Sequence, residues 1–262
     1  MRASAAFLLR RWSAVVLVAS LLPLTQSCKE DDPQPTVNTV HLAFQHNGPG
    51  NTTPFRLNTT YATPTGQPYK LDLLIYYVSN IKLIRADNSA WAEPLSYHLI
   101  RVAGAPASNP MIKLISVPQG TFTAIEFGLG VDSVANHHGD QLGDLSPNIA
   151  PFWNWTTGYK FWSMEGDYLP VGDTVRSLIY HIGRDPQYRT VRLPLPAATP
   201  ASVTGASSPE IHLDVDINQF FRNLDLTDPA QRVEMGGTSI SARIADNMAT
   251  LFRVEYVHNE TQ

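Results

Sequence analysis

Histidines at the ends of predicted strands are the residues of this chain best suited to hold a metal ion. Imidazole is a common copper ligand, and strand ends are places where a β-sandwich can bring distant parts of a chain together. The candidates in such positions are His46, His181 and His258, and a fourth candidate, His212, shares a strand face with Asp214. A pair in a predicted loop, His137 and His138, ranks lower. Any one of them could equally be a surface or hydrogen-bonded histidine, so only their convergence in space would define a site.

A tryptophan-rich segment is the second unusual feature. Residues 151–162, PFWNWTTGYKFW, include Trp153, Trp155 and Trp162. In an extended segment, Trp153 and Trp155 face the same way, about 6–7 Å apart. Three interpretations remain open: packing in a core, a platform that stacks on sugar rings, or a tryptophan that is chemically altered.

The motifs of common enzyme classes are missing. The sequence has no nucleophile elbow, Walker loop, dinucleotide-binding glycine motif or H-E-x-x-H motif. Asp214 and Asp216 would share a face of a strand, a pattern more typical of exposed carboxylates than of catalysis. The chain is therefore not expected to be an enzyme. Its net charge of −4 and the lack of a basic cluster make nucleic acid an unsuitable partner.

The N-terminus resembles that of an exported lipoprotein. Residues 1–27 combine three early arginines with an apolar run from Trp12 to Leu24, which is typical of a signal peptide and too short to span a bilayer. Cys28 is the only cysteine, which fits a thiol consumed by lipid, with acyl chains such as palmitate. An ordinary cleaved signal with an incidental cysteine is the alternative. We expect a cell-envelope lipoprotein of the outer membrane, facing either the periplasm or the exterior.

Residues 28–38 follow as a charged and proline-containing tether. The acidic run from Lys29 to Asp32 is either a solvated linker or a signal for export to the outer surface.

Residues 39–262 are predicted to form one all-β domain, a β-sandwich or barrel-like antiparallel fold with short helices in loops. Twenty prolines and sixteen glycines separate many short apolar runs, a pattern that disfavours long helices. Short helices are predicted at Gln219–Leu224 and Ile240–Asn247. The predicted strands are Val40–His46, Leu71–Ile84, Tyr97–Val102, Met111–Val117, Thr121–Leu129, Leu178–Ile182, Thr190–Leu195, Glu210–Ile217 and Thr250–His258. Met111–Val117 and Thr121–Leu129 are expected to pair as a hairpin.

Several of these stretches, taken in order, resemble the MbnP family of copper-binding proteins, in the form found among Bacteroidota lipoproteins. The resemblance runs through nearly all of the mature chain. Its most specific pieces are LIYYVSNIKL at 74–83 and FWNWTTGYKF at 152–161. The shorter pieces are FQH at 44–46, GVDS at 130–133, YHIG at 180–183, PEIHLDVD at 209–216, IADN at 244–247 and VHN at 257–259.

The resemblance implies a copper-binding β domain and a partner. Members are typically encoded beside a MauG-like di-haem enzyme of the peroxidase type, which oxidises a tryptophan to kynurenine, and copper binding depends on that change. Trp153 and Trp155 are both candidates for the altered residue. His46, His181, His212 and His258 fall within matching pieces, whereas His137 and His138 fall where members vary.

Two other functions remain open at this level. A surface glycan-binding or adhesion module would use the tryptophans as an exposed stacking platform. A purely structural envelope component would have scattered histidines and no site.

Overall fold

Strands make up most of the regular structure in the computed structural model, which describes residues 38–51, 53–102, 109–139, 141–154, 156–205 and 207–261. The signal peptide, Cys28 and the tether up to residue 37 lie outside these ranges, as does Trp155. The described strands, in chain order, are β1 (Thr39–Asn47), β2 (Thr60–Ala62), β3 (Pro68–Ile84), β4 (Ala90–Ala92), β5 (Tyr97–Arg101), β6 (Met111–Ile115), β7 (Gly120–Phe122), β8 (Ala124–Leu129), β9 (Phe152–Asn154), β10 (Gly158–Tyr168), β11 (Arg176–Gly183), β12 (Arg189–Pro194), β13 (Ala201–Val203), β14 (Ser207–Asp216), β15 (Val233–Glu234) and β16 (Phe252–Thr261).

The helices are short. The α-helices are α1 (Ser133–Asn136) and α2 (Ser241–Ala249), and the 3-10 turns are Pro49–Asn51, Gly143–Leu145, Asp185–Gln187, Ile217–Phe221 and Pro229–Gln231. None of the helices in the described ranges is long and apolar enough to cross a membrane.

The strands form two main sheets. The first sheet has the order β16-β14-β1-β6. The second has the order β12-β8-β3-β10-β11-β15; β2, β4 and β5 also pair with β3, and β9 pairs with β10. A small third sheet pairs β13 with β7. Most pairs are antiparallel, but β1 runs parallel to β14 and β11 runs parallel to β15. Long connections within each parallel pair allow the second strand to return in the same direction.

The main core lies between the first and second sheets. Alternation on β1 directs Leu42 and Phe44 inwards, and they share one buried cluster with Tyr76, Trp162 and Tyr180 of the second sheet. A smaller buried cluster covers the opposite face of the second sheet, where α1 and the segment that follows it pack; its members are Tyr77, Val131, Ala135, Leu145, Tyr159 and Phe161. This outer layer shields the face that carries the candidate site.

The prediction of an all-β sandwich is confirmed. The hairpin prediction is wrong, because β6 pairs with β1 in the first sheet whereas β8 pairs with β3 and β12 in the second. The turn residues at 118–120 therefore connect two layers of the sandwich.

The strand β10 was not among the predicted strands, because its aromatic residues, glycines and charged residues do not follow a simple alternation.

Candidate metal centre

His181 is a buried histidine with one unused ring nitrogen. On β11, Leu178, Tyr180 and Ile182 point into the main core, so His181 points to the opposite face of the second sheet. The residue is 6% exposed, and its Nε2 lies 2.7 Å from Oε1 of Glu165 on β10. Among the described residues, its Nδ1 is buried and has no hydrogen-bond partner.

The residue opposite His181 on the neighbouring strand also has a buried polar atom without a hydrogen-bond partner among the described residues. Ser163 on β10 is the cross-strand neighbour of His181, and its buried hydroxyl likewise lacks a partner within the described chain. Buried polar atoms are nearly always hydrogen-bonded, so two such atoms side by side indicate a place for a further ligand. A histidine that binds a metal through one nitrogen commonly holds a carboxylate with the other, as His181 does with Glu165.

Trp153 lies on the same face of the sheet. It is half-buried on β9, and its indole packs against two glycines. A Cβ at Gly183 would lie 2.5 Å from its Cζ3, and a Cβ at Gly236 would lie 2.8 Å from its Cη2. Gly183 is two residues beyond His181 on β11, a spacing of about 6–7 Å on one face. The indole therefore packs two residues along β11 from His181, on the face to which His181 points.

We call the space for Trp153 between Gly183 and Gly236 the indole slot. Two charged residues lie beside it. The ammonium of Lys160 lies 5.9 Å from the centre of the indole ring, and burial lowers the pKa of Lys160. Glu234 is fully buried, and its carboxylate accepts hydrogen bonds from the backbone N–H groups of Gly236 and Gly237. This carboxylate therefore holds the loop that presses Gly236 against Trp153.

Substitution of Gly183 tests the indole slot. In Gly183→Ala the new methyl group would meet both the Trp153 ring and the carbonyl oxygen of Tyr159, each at 2.5 Å. We expect the free energy of unfolding, measured by chemical denaturation, to fall by about 1–3 kcal/mol, with a shift in tryptophan fluorescence. The matched control is Gly139→Ala, because no heavy atom lies within 4 Å of a Cβ there. Equal stability of the two variants would contradict this packing.

His137 lies close to the middle of the tryptophan-rich segment. It lines a cavity of about 330 Å³ together with Thr156 and Thr157, which directly follow Trp155. Its Nε2 is 3.1 Å from Oδ1 of Asp185, a carboxylate that also accepts a hydrogen bond from Asn136. His138 is exposed, with its Nδ1 2.6 Å from the carbonyl oxygen of Gly139.

His46 lies in the interior of the sandwich. Its Nε2 is 2.9 Å from the hydroxyl oxygen of Tyr76, and the residue is 5% exposed. Burial lowers its pKa to about 3, against the weaker opposing effect of a backbone hydrogen bond with Phe44. His46 is therefore a neutral core histidine.

His212 and His258 lie on the outward face of the first sheet. Nε2 of His212 is 2.9 Å from Oε1 of Glu210, and its ring stacks on Tyr256 with 3.9 Å between centres. His258 is the cross-strand neighbour of Glu210.

The four leading histidines are thus divided between two sheets. His181 lies on the second sheet. On the first sheet, His46 points into the core, whereas His212 and His258 point outwards. Within the described ranges, no three His, Cys, Asp or Glu side chains are close enough to hold a metal ion.

The sequence identified His181 and Trp153 but missed their supporting residues. Four residues were not identified from the sequence, because their places beside His181 and Trp153 depend on strand pairings that the sequence does not reveal. These residues are Lys160, Ser163, Glu165 and Glu234. One local signal was available: a glycine two residues after His181 leaves space for a large ring on the same face of the strand.

The fold and the site together define a class: a β-sandwich with a buried imidazole beside an indole, which suits ligand binding. A family model described as MbnP matches residues 37–236, and the chain belongs to the MbnP family. The family is linked to copper. Among solved structures, MbnP from Methylosinus trichosporium is similar in fold, with a TM-score of 0.53 and 14% sequence identity over 86% of this chain and 99% of that chain. No curated protein matches.

Proposed function

We propose that the chain is a lipid-anchored copper-binding protein of the cell envelope, not an enzyme, in which His181 holds copper beside an oxidised Trp153. The observation that carries the proposal is the buried, unpartnered Nδ1 of His181 on the face that carries the indole slot. A neutral imidazole nitrogen is a good copper ligand, and the carboxylate of Glu165 would fix the ring through Nε2.

Oxidation of Trp153 would supply the donors that an indole lacks. Cleavage of the bond between C2 and C3 of the indole takes up two oxygen atoms, one from each of two molecules of hydrogen peroxide, the oxidant of a MauG-like di-haem partner. Two molecules of water leave. Hydrolysis then releases C2 as formate and leaves kynurenine, with an aryl amine and a ketone. Trp153 is half-buried, so part of its indole stays accessible to a partner. His137, beside the cavity at Thr156 and Thr157, is the second histidine on this side of the molecule.

The glycan-binding interpretation needs a flat, exposed set of tryptophan rings. Trp162 is fully buried, with its ring stacked 4.5 Å from that of Tyr76. Trp153 packs against two glycines in the indole slot. Neither ring offers an open face of the kind that stacks on a sugar.

Co-expression tests the proposal. The full-length chain is produced with and without a MauG-like di-haem enzyme, and peptide mass mapping then locates any oxidation. We expect conversion to kynurenine at Trp153, with copper bound at His181 only after co-expression. Trp153→Phe should abolish both, whereas Trp155→Phe, the matched control, should retain both. The intact mass also reports acyl chains on Cys28. Unmodified protein that takes up no copper, or oxidation confined to Trp155, would overturn the proposal.

A further inference from the structure

The outward face of the first sheet brings together four side chains that can ligate a metal. His41 on β1 is the neighbour of Glu210 on β14, and Glu210 is the neighbour of His258 on β16. His212 follows two residues after Glu210 on the same face, with Nε2 already 2.9 Å from the Glu210 carboxylate. Three adjacent strands thus place three imidazoles around one carboxylate.

The strand geometry allows these side chains to meet. Neighbouring strands lie about 4.7–4.9 Å apart, so His41 and His258 flank Glu210 at nearly equal distances from either side. Across the antiparallel pair of β14 and β16, the Cβ atoms of neighbours such as Glu210 and His258 lie about 4.5–5.5 Å apart, which is within the reach of an imidazole. Convergence on one ion requires the rings of His41 and His258 to turn towards Glu210, since the four groups are not gathered in their present rotamers.

The surroundings permit such a movement. The side chain of Glu210 is 26% exposed and that of His212 is 17% exposed, so both lie at the surface of the sheet. The residue next to His212 on β1 is the small Ala43, whose side chain does not reach the rings of the histidines beside it. The nearest cation is Lys113, the neighbour of His41 on the edge strand β6, and its exposed chain can extend away from the face.

We propose that His41, Glu210, His212 and His258 form a second metal site, on the exposed face of the first sheet, for a divalent transition-metal ion that prefers imidazole. Three imidazoles and one carboxylate match the ligand preferences of Zn²⁺ and its neighbours in the series. The site involves no tryptophan. It should therefore fill in protein made without the di-haem partner, independently of the proposed copper site.

Zinc titration by calorimetry tests this site in the full-length chain, held in detergent and made without the di-haem partner. The chain carries His181→Gln throughout, which removes the proposed copper ligand. We expect one Zn²⁺ per chain. Loss of an outer-shell partner alone weakens metal binding about 10–100-fold, so His41→Gln or His212→Gln should weaken it by about tenfold or more.

The matched control is His98→Gln, because His98 on β5 also contacts a carboxylate, with its Nε2 2.7 Å from Glu93. This control should leave the zinc affinity unchanged. Denaturant unfolding of each variant confirms that it is folded. Absence of zinc binding, or equal affinities in His41→Gln, His212→Gln and His98→Gln, would overturn the second site.

Discussion

Replacement of His181 by glutamine should abolish copper binding while Trp153 is still oxidised. The Nδ1 atom of His181 is buried and has no hydrogen-bond partner among the described residues, and glutamine places no imidazole there. The proposed partner acts on the indole, which does not need the imidazole. Co-expressed His181→Gln protein should therefore contain kynurenine at position 153 and no copper, as measured by peptide mass mapping and metal analysis. These copper analyses use chains that also carry His41→Gln and His212→Gln, because the proposed second site would itself bind copper.

Two further variants separate a ligand role from a structural role. Glu165→Gln keeps a hydrogen-bonding group 2.7 Å from Nε2 of His181 but removes its charge, so copper affinity should fall about 10–100-fold. His98→Gln removes a histidine with an equivalent carboxylate contact elsewhere on the second sheet, and should bind copper normally. Copper retained in His181→Gln, or lost equally in His98→Gln, would show that His181 is not a ligand.

The sequence predicts individual strands well because alternation is local. Placement of Leu42, Phe44 and His46 on one face of β1 follows from a period of two, and the structure buries all three. The long strand predicted at Leu71–Ile84 occurs as Pro68–Ile84. Pairing is not local, so the sequence did not reveal that β1 lies beside β14, a strand that begins 160 residues after β1 ends.

The candidate site shows the same limit. His46 and His212 lie on adjacent strands, yet the register pairs His46 with the inward-facing Val215 and His212 with Ala43 on the outward face. No pattern within either strand states this relation. His181 and Trp153 lie on one face of the second sheet for the converse reason: β9 pairs with β10, β10 pairs with β11, and Gly183 leaves space for the indole two residues beyond His181. The matching family pieces identified both residues without indicating that they are neighbours.

Acid should destabilise the fold through His46. Burial lowers the pKa of His46 to about 3 in the folded protein, whereas an unfolded histidine titrates near 6.5. Below pH 6.5 the unfolded chain therefore binds a proton that the folded chain excludes, and stability falls as the pH decreases towards 3. By pH 4 this contribution is on the order of 3 kcal/mol.

The His46→Gln variant isolates this contribution, because glutamine does not titrate and can still hydrogen-bond to the Tyr76 hydroxyl. The free energy of unfolding, measured with urea between pH 7 and pH 4, should fall less steeply with pH in His46→Gln than in the unsubstituted chain. The difference between the two slopes should correspond to the uptake of about one proton on unfolding. Exposed His138 provides the control, and His138→Gln should follow the unsubstituted profile. Parallel profiles for His46→Gln and the unsubstituted chain would mean that His46 is protonated in the fold. Such a charge would need a partner inside the sandwich, where the observed contact is the neutral hydroxyl of Tyr76.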